Sequence, residues 1–303
     1  MIFQTLLRSC GVLSLALLFA VPAQAQNGTR IIHQERSLYT NVLVTEDSTR
    51  RCMRFTLTER SGQNQSCRFL EDREKLAFPY AKMVLSSLMV QDNPERILIL
   101  GLGGGTLVDS YSLLFPEAEI IIVEIDRAVV EVAEEYFDFE ESDRIKVETV
   151  DGRVYVKRAG LRKEKFDLVI LDAFNGEYIP EHLMSQEFLE EVKLLLPEDG
   201  MVVANTFSAS RLYDAESATY ASVFGPLFNI RQFGTGNRVI IASMQPLPSL
   251  EVLQARAKAL QPRLARFDMD VNDYPQLLDT EVDWNRNARL LTDQYSPANL
   301  LNN

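Results

Sequence analysis

Glu124, Asp151 and Asp172 each stand at or just after the end of a strand-like run, and glycines at 101, 103 and 105 follow another. Glycines leave no side chain between a turn and a ligand, and they expose backbone N–H groups at the start of a helix. A carboxylate at the tip of the next strand can accept two hydroxyl hydrogen bonds, which suits a ribose diol. Glu124 holds that place. Asp151-Gly152 would lie near an adenine, where the carboxylate can accept exocyclic amino hydrogens. Asp172 directly follows the continuous apolar run Phe166–Leu171, so its position makes it a site residue. Asp126 reads instead as the cap of the helix that begins at Arg127.

The elements that must hold these residues alternate. Ile97–Leu100, Ile120–Glu124, Ile145–Val150, Phe166–Leu171 and Met201–Asn205 read as strands. Helices fit Arg127–Phe137, Gln186–Leu196 and 212–224. Strand–helix alternation implies a parallel sheet with helices on both faces. Ligands sit outside the carboxyl ends of such strands. Ile230–Phe233 and Val239–Ser243 fit a closing hairpin around Gly234-Thr235-Gly236.

Outside this unit, residues 26–90 hold short strand-like runs (Leu38–Val44, Cys52–Leu57, Ser66–Leu70) and a linking helix from Tyr80 to Leu88. They read as a small antiparallel region. Residues 91–245 form the nucleoside-binding α/β domain. Residues 246–303 hold one helix, Leu250–Leu260, and a polar tail in which Trp284 is expected to pack. Residues 1–25 read as a secretory signal peptide: Arg8, an apolar stretch Gly11–Val21, and a small-x-small site at Ala23-Gln24-Ala25. The chain is therefore expected to be periplasmic or secreted, without a stable membrane span. In that setting Cys52 and Cys67 either form a disulfide or remain thiols.

The chain has 303 residues and a net charge of −12, which disfavours nucleic acid as a partner. A dinucleotide turn would place its third glycine at 106, where Thr106 stands. No Gly-Lys-Ser/Thr follows for a triphosphate, and no Gly-x-Ser-x-Gly elbow is present. No Cys/His cluster suggests a metal. His33, near the terminus, and His182, in a loop, are not expected to be catalytic. G-x-G-x-G with an acidic strand end fits an S-adenosylmethionine-type nucleoside, which has no pyrophosphate to cradle.

Over most of residues 35–245 the sequence resembles the spermidine synthase-like polyamine aminopropyltransferases. The resemblance rests on Glu35-Arg36-Ser37-Leu38-Tyr39, Leu70-Glu71-Asp72-Arg73-Glu74, Phe78-Pro79-Tyr80, the glycine turn, Val123-Glu124-Ile125-Asp126, Asp151-Gly152 and Leu171-Asp172. Leu290-Leu291-Thr292-Asp293 is similar to a late motif of bacterial relatives. The resemblance implies a Rossmann-like fold of the class I S-adenosylmethionine-dependent methyltransferase type, with a small N-terminal antiparallel β region. It implies decarboxylated S-adenosylmethionine as co-substrate and a small amine such as putrescine as acceptor. Asp172 would orient the amine and take its proton, because an ammonium of pKa about 10 is no nucleophile. Gly101, Gly103, Gly105, Glu124, Asp151 and Gly152 would hold the nucleoside, and Tyr80 and Asn175 the acceptor. A homodimer is compatible with this picture.

The amine side departs from the family. Gly104 matches an aspartate that grips the aminopropyl ammonium. Asn175 replaces the second aspartate of a D-S-x-D loop, Ala81 a histidine, and Thr40 a glutamine. Two other readings therefore stand beside the first. One is a methyltransferase using intact S-adenosylmethionine. The other is an exported, non-catalytic protein that binds a polyamine or nucleoside.

Overall fold

The computed structural model describes residues 28–56, 64–174, 179–232 and 234–295. The leader read at residues 1–25 and the acceptor residue Asn175 lie outside the described residues.

Four strands come first: β1 (Arg30–Arg36), β2 (Asn41–Glu46), β3 (Arg50–Thr56) and β4 (Asn64–Phe69). They form an antiparallel sheet in that order. The strand expected from Leu38 begins only at Asn41, because Ser37 to Thr40 is a turn. Ser37 Oγ accepts the N–H groups of Tyr39 and Thr40 at 3.0 and 3.1 Å, local bonds that compete with a ladder. β1 itself carries the polar sequence RIIHQER, little of it buried, so alternation does not reveal it. His33 is thus not in a loose terminus. It sits in β1 with Nδ1 3.2 Å from the Tyr136 hydroxyl. Cys52 and Cys67 face each other across β3 and β4 and form a buried disulfide.

α1 (Pro79–Leu85) and a 3-10 turn at Ser86–Met89 lead to the second sheet. Its elements are β5 (Arg96–Leu100), α2 (Thr106–Leu114), β6 (Glu119–Glu124), α3 (Arg127–Tyr136), β7 (Ile145–Thr149), α4 (Gly152–Leu161), β8 (Leu168–Leu171), α5 (Gln186–Lys193), β9 (Met201–Phe207), α6 (Tyr213–Phe224), β10 (Phe228–Arg231) and β11 (Asn237–Ser243). The seven strands run β10-β11-β9-β8-β5-β6-β7. β7, β6, β5, β8 and β9 are parallel, and β11 pairs antiparallel with both β9 and β10.

Period-two alternation splits the strand residues between two cores. Ile97, Ile99, Ile120 and Ile122 pack with Met83, Leu107, Tyr111 and Leu253, the last from α7 (Leu250–Leu264). Leu98, Leu100, Ile121 and Val123 pack with Val156, Phe188, Tyr220 and Trp284. A third cluster joins Val42, Val44 and Met53 to Val129, Val132 and Phe137, seating the N-terminal sheet on α3. β5 has β6 on one side and β8 on the other, so the sheet order reverses there. An open α/β sheet leaves its ligand crevice at that point.

Candidate functional site

A cavity of about 740 Å³ opens over the carboxyl ends of β5, β6, β8 and β9, within the range of small-molecule sites. Gly101 sets the spacing between two of these ends. Its φ is +101°, and a Cβ there would lie 2.3 Å from the Asp172 carbonyl oxygen. Only glycine lets the exit of β5 pass so close to that of β8. The Asp172 N–H donates to Leu100 O at 2.9 Å, and the Gly101 N–H to Val123 O at 2.8 Å. The glycine turn, Asp172 and β6 are therefore one backbone-bonded unit.

Glu124 is buried at the tip of β6. Its Oε2 accepts the Leu102 N–H and its Oε1 the Asp126 N–H, both at 3.0 Å. Burial raises its carboxyl above the ordinary range, and those two N–H groups partly offset the rise. The side chain is thus oriented by the fold itself, with lone pairs remaining on each oxygen. Asp126 caps α3 through the Ala128 N–H at 3.1 Å, as its position implied. Its other oxygen accepts the Ser37 hydroxyl. That bond draws the β1–β2 turn, with Tyr39 and Thr40, against the cavity.

Asp151 caps α4, accepting the Val154 N–H at 2.9 Å, and its second oxygen lies 2.8 Å from His182 Nε2. Burial pushes this carboxyl up, but the Val154 N–H and His182 outweigh burial and hold it below the ordinary range. Asp151, Gly152 and His182 all line the cavity. An adenine amino group would have to share Asp151 with His182.

The opposite end is aromatic. The Phe174 and Phe207 rings meet edge to face at 5.2 Å, and Phe78 and Tyr80 lie 6.0 Å apart. Asp172 sits between these rings and the glycine turn. The Tyr80 hydroxyl donates to Oδ2 at 3.2 Å, and Asn205 Nδ2 donates to Oδ1 at 2.8 Å. Burial raises the Asp172 carboxyl to about 7, with the Asn205 and Tyr80 bonds working against the rise. Burial also holds the Tyr80 phenol well above its usual value, so Tyr80 stays a donor. Such a carboxylate can accept a proton near neutral pH.

Two glycines of the turn stand away from the cavity. Gly105 does not line the cavity: it precedes α2, and a Cβ there would meet the Phe139 ring at 3.2 Å. Gly104 does not line the cavity either, and a side chain there would need Phe137 and Ser66 to shift, since a Cβ would lie 2.8 Å from both Phe137 Cδ1 and Ser66 Oγ. Gly101, Leu102 and Gly103 are the turn positions that line the cavity.

The structure therefore brings together Tyr80, Gly101, Gly103, Glu124, Asp151, Gly152 and Asp172. It adds Asn205, Asn237, His182 and Arg211 to the same wall. Asn205 had a signal in its place at a strand end. Asn237 and Arg211 had none, since only pairing of β11 on β9 and the loop before α6 bring them in. Among the described residues, no cluster of three or more His, Cys, Asp or Glu is placed to hold a metal ion. No described helix is long and apolar enough to cross a membrane.

The model of the spermine/spermidine synthase domain matches residues 77–228. The chain is 50% identical over 273 residues to a polyamine aminopropyltransferase of Vibrio vulnificus, covering 89% of this chain and 91% of that one. In fold it is similar to a probable spermidine synthase from Corynebacterium glutamicum, with a TM-score of 0.65, 20% identity, and coverage of 86% of this chain and 100% of that one. It is also similar to human Methyltransferase-like protein 13 in complex with SAH, with a TM-score of 0.52, 25% identity, and coverage of 69% and 94%. A Rossmann-like mixed sheet with a separate N-terminal antiparallel sheet, a carboxylate-lined crevice at the switch point and half-identity along most of the chain agree: this chain belongs to the spermine/spermidine synthase family.

Proposed function

We propose that the protein transfers an aminopropyl group from decarboxylated S-adenosylmethionine to a small amine such as putrescine. The observation that carries this reading is the placement of Asp172. A carboxylate raised by burial to about 7 lines the same cavity as a fold-oriented Glu124 and adjoins the glycine turn. Glu124 would accept the ribose hydroxyls, Gly101 and Gly103 would let the nucleoside approach the backbone, and Asp151 with Gly152 would border the adenine. The donor supplies an electrophilic aminopropyl carbon, and methylthioadenosine leaves when the amine bonds to it.

Asp172 does the protein's chemical work. Moving a proton from an ammonium of pKa about 10.4 to an ordinary aspartate near 3.9 costs roughly 9 kcal/mol, and to a carboxylate near 7 roughly 5 kcal/mol. Burial of Asp172 thus recovers close to half of that cost. Tyr80 and Asn205 fix both oxygens, so the amine meets the carboxylate in one orientation. The aromatic walls shield the reacting amine from water.

One observation keeps a second donor in view. Gly104, which matches the family's aspartate, carries no carboxylate to favour an aminopropyl ammonium over the intact donor. Calorimetry with both forms and with methylthioadenosine separates the readings. Tighter binding of the decarboxylated form supports aminopropyl transfer, preference for the intact form supports methyl transfer, and no binding of any nucleoside refutes both.

Residues 1–25 as a cleaved signal peptide, and a periplasmic or secreted location, belong to the same proposal. The Cys52–Cys67 disulfide supports export, since such bonds persist in oxidising compartments. N-terminal sequencing of the protein recovered from a periplasmic extract tests it, with cleavage expected after Ala25.

A further inference from the structure

Asp172 is held on one side by a chain of amides that starts from a backbone group. Thr235 Oγ1 accepts the Asn237 N–H at 3.1 Å and lies 2.9 Å from Asn237 Oδ1. That N–H occupies a lone pair of the hydroxyl and leaves its proton free to be donated to the amide oxygen. Asn237 Nδ2 then faces β9 and donates to Asn205 Oδ1 at 3.0 Å. Asn205 Nδ2 is left aimed at Asp172 Oδ1, 2.8 Å away. The sheet makes this possible: Asn237 pairs with Phe207, and Asn205 lies two residues back on the same face. Asn205 is only 4% exposed, so its amide depends on these partners.

We propose that Thr235 and Asn237 are positioning residues for the reaction proposed above: acting through Asn205, they keep an amide N–H, and not a C=O, against the Asp172 carboxylate. The inference rests on the reading of Asp172 as the base. An unheld amide can turn over. Its oxygen would repel an ionised carboxylate and accept a bond from a protonated one, so the base would be withheld until higher pH. The other groups around Asp172 are the same with either amide orientation: Tyr80 from α1, Glu124 and Asp126 at the end of β6, Asp151 with His182 beside α4, and Arg211 before α6.

The test is a titration of Asp172 in the purified, ligand-free protein. The side-chain carboxyl carbon is labelled with carbon-13, followed by NMR and assigned with Asp172→Asn. Asn205→Ala should raise the midpoint by about one pH unit, a tenfold change in the ionisation constant. Asn237→Ala should move it in the same direction. The double variant should match Asn205→Ala alone, because the two residues act in series. Thr235→Val, a milder change at the turn, should give a smaller upward shift and decides the matter if Asn237→Ala does not fold. The acid limb of kcat/KM should move with the midpoint while the KM for the nucleoside stays constant. A midpoint unmoved in Asn237→Ala and Thr235→Val, or shifts that add fully to that of Asn205→Ala, would overturn the proposal. The titration needs no turnover. A wild-type protein that releases no methylthioadenosine would refute the proposed reaction, and the NMR midpoints would still decide the amide chain.

Discussion

Glu124→Gln should weaken nucleoside binding while leaving the protein folded. Glu124 accepts two backbone N–H groups, from Leu102 and Asp126, at 3.0 Å each. Glutamine offers one acceptor oxygen and an NH2 group, so one of these N–H groups would face another donor. The ribose diol would also lose one charged acceptor. A hydrogen bond to a charged group is worth about 1.5–3 kcal/mol, which corresponds to roughly a ten- to hundredfold rise in Kd. Burial raises the Glu124 carboxyl above its ordinary range, so a neutral side chain also relieves a desolvation cost. The expected signature is therefore a split, with binding much weaker and Tm little changed. Calorimetry with methylthioadenosine and a thermal melt of the same sample read the two halves. A Kd within twofold of the wild type would refute the ribose role and leave Glu124 only the task of tying the glycine turn to β6.

Because the base form of Asp172 is required, kcat/KM should rise about tenfold per pH unit up to about 7 and level off above it. The folded state binds the Asp172 proton more tightly than the unfolded chain, so Asp172 costs stability as pH rises from about 4 through about 7. Asp172→Asn should accordingly raise Tm at pH 8 and not at pH 4; an equal effect at both would show that the carboxyl is unshifted. Glu216→Ala should destabilise by about 3–5 kcal/mol in urea unfolding, since it strands the fully buried Arg238, which also bonds Thr206 and Ser217; a loss below about 1 kcal/mol would contradict this. Reducing Cys52–Cys67, separated by 15 residues, should cost about 2–4 kcal/mol. A melting curve indifferent to reductant would mean that the disulfide does not constrain the unfolded chain.

One half of the site is legible because each of its residues stands at the end of a strand-like run in sequence. Gly101, Glu124, Asp151 and Asp172 stand at strand ends, and the parallel topology puts such ends on one edge. The other half is less legible because it is assembled across the sheet. Asn237 reaches Asn205 only through the antiparallel pairing of β11 with β9, and no local pattern announces that register. Nothing local marks His182 as a neighbour of the site, but the 3-10 turn at Glu181–Leu183 brings its ring to Asp151. The glycine turn shows the limit of motif matching. Gly104 matches the family's aspartate in order, yet Phe137 and Ser66 stand close to where its side chain would begin. β1 escaped notice because a polar edge strand carries little of the alternation that marks a half-buried one.

The central claim is that Asp172 activates an amine for attack on a nucleoside-borne aminopropyl group. Its most direct test is methylthioadenosine release from decarboxylated S-adenosylmethionine and putrescine, followed by chromatography for the wild type and Asp172→Asn. The wild type should turn over in the presence of the amine, and the variant should lose at least a hundredfold. Release that persists in Asp172→Asn, or a wild type inert towards putrescine and other small amines, would contradict it.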